Sequence, residues 1–164
     1  MKIFCLFFGL LVCPCLAAET LMVSVGAEGL AGQPDPGRRV CFLALESGLM
    51  DVFFDAGKIV FNDEGFRDSE DRYRTVRVAR EGGASAVLFV NCVYSPDSPM
   101  KWKTGDGDSA GLPERIVLEY VLVQDFATVK KLEITPSPED AARHPAIERY
   151  YFVLGKEAAE NILK

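Results

Sequence analysis

The sequence predicts an α/β fold of the α+β kind, a mixed sheet with helices packed on it, in the order strand, helix, strand, helix, strand, strand, strand, helix. Three observations lead there. Apolar residues between Arg38 and Ala56 recur at three- and four-residue steps, stop at Gly57, and give way at once to the β-rich run Ile59-Val60-Phe61. Ala84 to Tyr94 (ASAVLFVNCVY) is apolar on both faces, as a central strand is. Two more strand-like runs then flank one short turn, ahead of a last helical segment.

The elements follow in order. Thr20 to Val25 (TLMVSV) reads as a strand, and Gly26 to Gly37 is dense in turn formers. The first helix, Arg38 to Ala56, carries Cys41, Leu45, Leu49, Val52 and Phe53 on one stripe, with Arg38, Arg39, Glu46 and Asp55 on other faces. Gly57 ends it, since glycine takes the left-handed conformation that closes a helix at little cost. Ile59 to Phe61 is a short strand, and Asn62-Asp63-Glu64-Gly65 a turn. Phe66 to Glu81 is predicted as a helix capped by Asp68 or Ser69 and stopped by Gly82-Gly83, although Tyr73, Val76 and Val78 among arginines also suit a strand. After the central strand comes a long loop, Ser95 to Pro113, and then strands at Arg115 to Phe126 and Val129 to Thr135. In that hairpin Ile116, Leu118, Tyr120 and Leu122 should face the core with Leu132 and Ile134. The expected register sets Leu122 opposite Leu132 and Tyr120 opposite Ile134. Ser137-Pro138-Glu139-Asp140 has the order of a helix start, cap then proline then acids, and Ala146 to Lys164 is the last helix.

The chain opens MKIFCLFFGLLVCPCLAA: one lysine, an apolar run, then small residues. That is the order of a secretory signal peptide, and the run is too short to span a bilayer. The expected organisation is a signal peptide at 1–17 and a single globular domain at 18–164, exported to the periplasm, with no transmembrane segment in the mature chain. A minor alternative is a lipid anchor on Cys13 or Cys15. With 24 acidic against 18 basic residues and a net charge of −6, the chain lacks the basic footprint that nucleic acid requires.

Two stretches carry a family resemblance. Arg80 to Tyr94 (REGGASAVLFVNCVY) has a helix end, a small-residue turn and a central strand; Glu119 to Glu133 (EYVLVQDFATVKKLE) is a hairpin in which Val129 takes the place of a turn glycine. With the order of elements, these resemble the small envelope domain shared by the amino-terminal part of TolB and by periplasmic lipoproteins such as CsgG and LpoB. The resemblance implies a role in assembling or bracing other envelope proteins, with no catalytic residues to carry over.

The residues themselves offer little for catalysis. The one histidine, His144, precedes Pro145 in a polar stretch without a Ser-His-Asp or Cys-His pattern around it. Asp106-Gly107-Asp108 begins like a calcium loop, but Ala110 and Val117 fill ligand positions, so no metal is expected. The glycines of Gly26 to Gly32 do not match a phosphate-binding spacing, and no cofactor is expected. The arginines between 67 and 80, interleaved with acids, read as a salt-bridged solvent face. A disulfide between Cys41 and Cys92 is admissible, because the predicted topology brings the start of the first helix and the end of the third strand to one sheet edge.

The 95–113 loop is long for a structureless connection and holds the single tryptophan. Met100, Lys101, Trp102 and Lys103 are therefore the expected partner-binding residues, the alternative being a Trp102 folded back as a lid on its own domain. The functional expectation is an exported, non-enzymatic protein that binds or braces another envelope component. A carrier of a small apolar ligand or lipid, with a cavity lined by Leu49, Phe53 and Phe54, is the rival class, and an envelope hydrolase the third.

Overall fold

A five-stranded mixed sheet organises the structure, a computed structural model that describes residues 19–29, 35–63, 71–95 and 102–164. The elements are β1 (Thr20–Glu28), α1 (Pro36–Asp55), β2 (Ile59–Asn62), α2 (Arg72–Glu81), β3 (Ala86–Val93), β4 (Trp102–Lys103), β5 (Ser109–Ala110), β6 (Arg115–Leu122), β7 (Thr128–Ile134), α3 (Pro138–Ala141) and α4 (Ile147–Leu163). The predicted order holds, with β4, β5 and the single turn α3 added to it. Strands lie in the order β2-β1-β3-β6-β7, and β4 pairs with β5 alone. β1 runs parallel to β2 and β3, while β6 runs antiparallel to β3 and β7.

Strand alternation divides the apolar residues between two faces. One face presents rows such as Val23, Leu88 and Tyr120, then Val25, Val90, Leu118 and Leu132. Helices α1 and α4 cover these rows, burying Cys41, Leu45, Leu49 and Phe53 from α1 and Tyr151, Leu154, Ala158 and Ile162 from α4. The other face presents Met22 and Val87, which meet Val76 and Ala79 of α2 and Val123 in a smaller cluster.

Local chemistry explains the helix ends. Asp35 caps α1, its Oδ1 accepting from the Arg38 N–H at 3.0 Å, and Pro36 fits the first turn, where its missing N–H costs nothing. Ser137 caps α3 as the sequence predicts, accepting from the Asp140 N–H at 3.2 Å. α2 starts at Arg72, without a side-chain cap bond, and ends before Gly83 in the left-handed region. The expected caps Asp68 and Ser69 lie outside the described residues, as does the expected signal peptide at 1–17.

Three expectations are corrected. The β6–β7 register is shifted: Ile116 pairs with Ile134, Leu118 with Leu132 and Tyr120 with Lys130. The core-facing parity is right, but the turn comes earlier, because Phe126 takes a φ of 60° and its N–H bonds back to the Leu122 carbonyl. A register irregularity between Tyr120 and Val121 absorbs the difference. Secondly, the long loop contains a hairpin rather than a structureless arm. Thr104 accepts from the Asp108 N–H at 3.0 Å, and Trp102 pairs with Ala110. Thirdly, only part of the arginine face is a solvent lattice. Arg74 meets Asp71 and Arg77 meets Glu81, but Arg72 turns to Glu119 and Arg80 donates to the Val123 carbonyl at 2.7 Å.

Candidate binding groove on the open sheet face

The two sheet faces are covered unequally. α1 and α4, of 20 and 17 residues, cover one face, whereas α2, of ten, is the helix packed on the other. α2 begins over Phe89, where the Arg72 guanidinium stacks at 4.6 Å, and among the described residues no helix covers the far ends of β1, β3 and β6 on this face. There a groove of about 240 Å³ is lined by Ser24, Gly26, Glu28, Thr75, Asn91 and Arg115, with Phe89, Val93 and Val117 as its apolar wall. It sits at the carboxyl ends of the parallel strands β1 and β3, the end at which open α/β sheets bind ligands.

Its polar groups are unevenly satisfied. Asn91 donates from Nδ2 to Glu28 Oε2 at 2.9 Å, which fixes the orientation of its amide, and its Oδ1 is buried without a hydrogen-bond partner among the described residues. Among those residues the Arg115 side chain makes no ion pair or hydrogen bond. At the lower end, Glu119 is held by Arg72 and, at 3.0 Å, by Lys131. Burial pushes the Glu119 carboxyl up, but the hydrogen bonds and charges of Lys131 and Arg72 outweigh it and hold the group below its ordinary value. This ion-pair ladder crosses the open face. A second depression, of about 290 Å³, shares Arg72 and Phe89 with the groove and is lined further by Tyr73, Val76, Val121 and Phe126.

The residues singled out from sequence fare differently. Met100 and Lys101 lie outside the described residues. Trp102 is half-buried and packs against the main core, and Lys103 donates to Ser109 Oγ at 2.9 Å within the hairpin. The hairpin is itself docked: the Gly105 N–H donates to Glu148 Oε1 at 2.9 Å, and Gly37 lies so close to the Ser109 carbonyl that a Cβ there would stand 2.2 Å away. Leu49 and Phe53 are fully buried beneath α4, while Phe54 faces solvent at 72% exposure, so the three do not line a common cavity. His144, just after α3, packs in a tilted arrangement against Tyr150 with ring centroids 5.8 Å apart.

Cys41 and Cys92 are both buried and both free in the structure, so the bridge that the topology admits is not formed in it. Burial, with Glu148 and Asp35 nearby, pushes the Cys41 thiol up to about 12. Beside them Tyr151 donates to the Gly111 carbonyl at 3.1 Å, which leaves Tyr94 to donate to Tyr151 at 3.2 Å. The groove was missed in the sequence because its residues come from separate strands and a helix. The polar Asn91 inside an otherwise apolar central strand was the available signal.

The fold is similar to those of several solved structures. A dodecamer of a PelC point variant from Paraburkholderia phytofirmans is 16% identical with a TM-score of 0.50, covering 86% of this chain and 85% of that one. Lipoprotein GNA1162 from Neisseria meningitidis is 14% identical with a TM-score of 0.48, covering 89% and 98%. The LpoB C-terminal domain from Salmonella enterica is 14% identical with a TM-score of 0.44, covering 73% and 83%. These are likenesses of fold, and LpoB is among the envelope proteins that the two sequence stretches resemble. No protein-family model matches the chain, and no curated protein matches it.

Proposed function

We propose that the chain is an exported, periplasmic, non-enzymatic domain that binds or braces another component of the cell envelope, and that the groove beside α2 is its binding surface. The observation that carries this reading is, among the described residues, an unpaired Arg115 in a concavity beside α2 whose lining holds three cations, Arg72, Arg115 and Lys131, against two carboxylates, Glu28 and Glu119. The leader-like order of the first 18 residues supports export. No helix among the described residues is long and apolar enough to cross a membrane. A second surface, the Met100, Lys101, Trp102 and Lys103 stretch expected from the sequence, is favoured by the exposure of Lys103.

The test is affinity capture after chemical cross-linking in the native envelope, comparing the wild type with Val117→Glu and following the melting temperature of each. A component recovered with the wild type and lost with V117E at unchanged melting temperature supports the groove. Equal recovery with both contradicts it.

A further inference from the structure

We infer that β7 is a dimer contact: it pairs antiparallel with β7 of a second copy of this chain about a two-fold axis at Leu132, setting Lys131 of each copy opposite Glu133 of the other. The inference goes beyond the envelope-binding role and stands independently of the groove.

The five-stranded sheet has β2 at one edge and β7 at the other. β2 is four residues long, and very short edges offer little to an incoming strand, whereas β7 runs for seven. Among the described residues no strand lies beyond β7. Its register against β6 is regular from Lys130 to Ile134, the irregularity being confined to the turn end.

Hydrogen-bond alternation fixes which main-chain groups point outward. The Val123 N–H donates to the Ser85 carbonyl at 3.0 Å, a pair that continues the β3–β6 register, so odd-numbered residues of β6 direct their N–H and C=O toward β3. Even-numbered ones face β7, as Leu122 does in donating to the Ala127 carbonyl at 2.9 Å. Their partners in β7 are Lys130, Leu132 and Ile134. The N–H and C=O of Lys131 and Glu133 are therefore directed away from the sheet.

Charge then selects the occupant and the register. Of the two-fold pairings that let these outward groups bond, one sets Lys131 opposite itself and another Glu133 opposite itself, and like charges directly opposed destabilise a pair. Pairing about Leu132 instead sets Lys131 opposite Glu133 on both sides of the axis, each pair exchanging both main-chain hydrogen bonds. Leu132, half-buried against the main core, then meets its own copy. A lysine on an edge ordinarily repels added strands. Here the order Lys131-Leu132-Glu133 supplies the matching acid when the added strand is this same one.

Both charges are available. Glu133 is exposed, stands opposite Val117 and makes no ion pair or hydrogen bond among the described residues. Lys131 meets Glu119 at 3.0 Å with its side chain well exposed, and an ammonium with three donors keeps capacity for a second carboxylate.

The test is a charge exchange read by sedimentation velocity on the full chain as purified from cells. The wild type is expected to pass from monomer to dimer as concentration rises. Glu133→Lys and Lys131→Glu each turn both opposite-charge pairs into like-charge ones, and each alone should weaken the dimer by about tenfold or more. E133K removes no contact within the chain, so its melting temperature should match the wild type. Mixed in equal amounts, the two variants should form a heterodimer at wild-type strength, because each offers the charge that the other lacks. Mixing cannot repair the lost Lys131–Glu119 contact inside K131E, so recovery reports the contact between copies. A wild type that stays monomeric up to about 1 mM, a dimer that E133K leaves intact, or a mixture that does not recover it overturns the inference. So does a wild-type species larger than a dimer, since a two-fold contact closes on itself.

Discussion

Gly48 of α1 and Gly155 of α4 lie at the crossing of the two longest helices, each against the backbone of the other's helix. A Cβ on Gly48 would stand 2.1 Å from the Phe152 carbonyl oxygen, and one on Gly155 would stand 2.3 Å from that of Leu45. Backbone cannot swing aside as a flexible side chain can, so the helices would have to separate. Gly48→Ala is expected to lose about 3 kcal/mol in urea denaturation, at the upper end of overpacking costs. Gly57→Ala, with open space around it but a φ of 78°, should lose only about 1 kcal/mol. A G48A protein as stable as the wild type would mean that the crossing is looser than this.

Trp102 separates the two surfaces considered for binding. It is half-buried against the core, so Trp102→Ala should lower stability by about 2 kcal/mol, less than the roughly 3–5 kcal/mol of a fully buried Trp, with capture of the groove partner retained at temperatures below the melt. A melting curve beside a capture assay reads both quantities. Unchanged melting with lost capture would shift the binding surface to the Met100–Lys103 segment.

The ion-pair ladder predicts an acid dependence. The ordinary value for the Glu119 carboxyl is 4.5, and the folded value lies below it. The folded state therefore binds this proton less readily than the unfolded chain, and the resulting stability is fully present above pH 4.5 and lost as pH falls through the folded value. Because Lys131 and Arg72 are well exposed, solvent screening limits the effect to less than about 1 kcal/mol. Glu119→Gln should remove this part of the acid sensitivity, seen as a smaller difference from wild type at about pH 3 than at about pH 7 in denaturant midpoints.

Thiol chemistry gives a further check. A chain beginning at Glu19 retains Cys41 and Cys92 and no other cysteine. Denatured without reductant, it should take two maleimide labels per molecule, since both thiols are free, and in the native state it should take none on the same timescale because both are buried. A mass unchanged by labelling of the denatured chain would indicate a bridge.

How far the sequence could be read follows from which interactions are local. The stripe Cys41-Leu45-Leu49-Phe53 and the doubly apolar β3 are periodic signals that tertiary packing reinforces, so they emerge directly. The Ser137 cap is equally local. The hairpin register was not legible because Phe126 occupies a left-handed conformation usually given to glycine, held by its packing on Tyr73 at 5.5 Å and the Arg80 cation beside it. Gly48 reads in sequence as a helix weakness and becomes a contact only when Gly155 is brought to it. The groove belongs to the same class: Asn91, Arg115 and Arg72 are apart in the chain, and strand order together with the packing of α2 over Phe89 makes them neighbours.

The central claim, that the face beside α2 is the binding surface, is tested most directly by photo-cross-linking in living cells. A photoreactive residue at Val117 samples the groove, and one at Leu43, exposed on the outer face of α1, samples the opposite side of the molecule. One discrete cross-linked product is predicted from Val117, absent in the Arg115→Gln background, and none from Leu43. A discrete product from Leu43 with none from Val117 would contradict the claim.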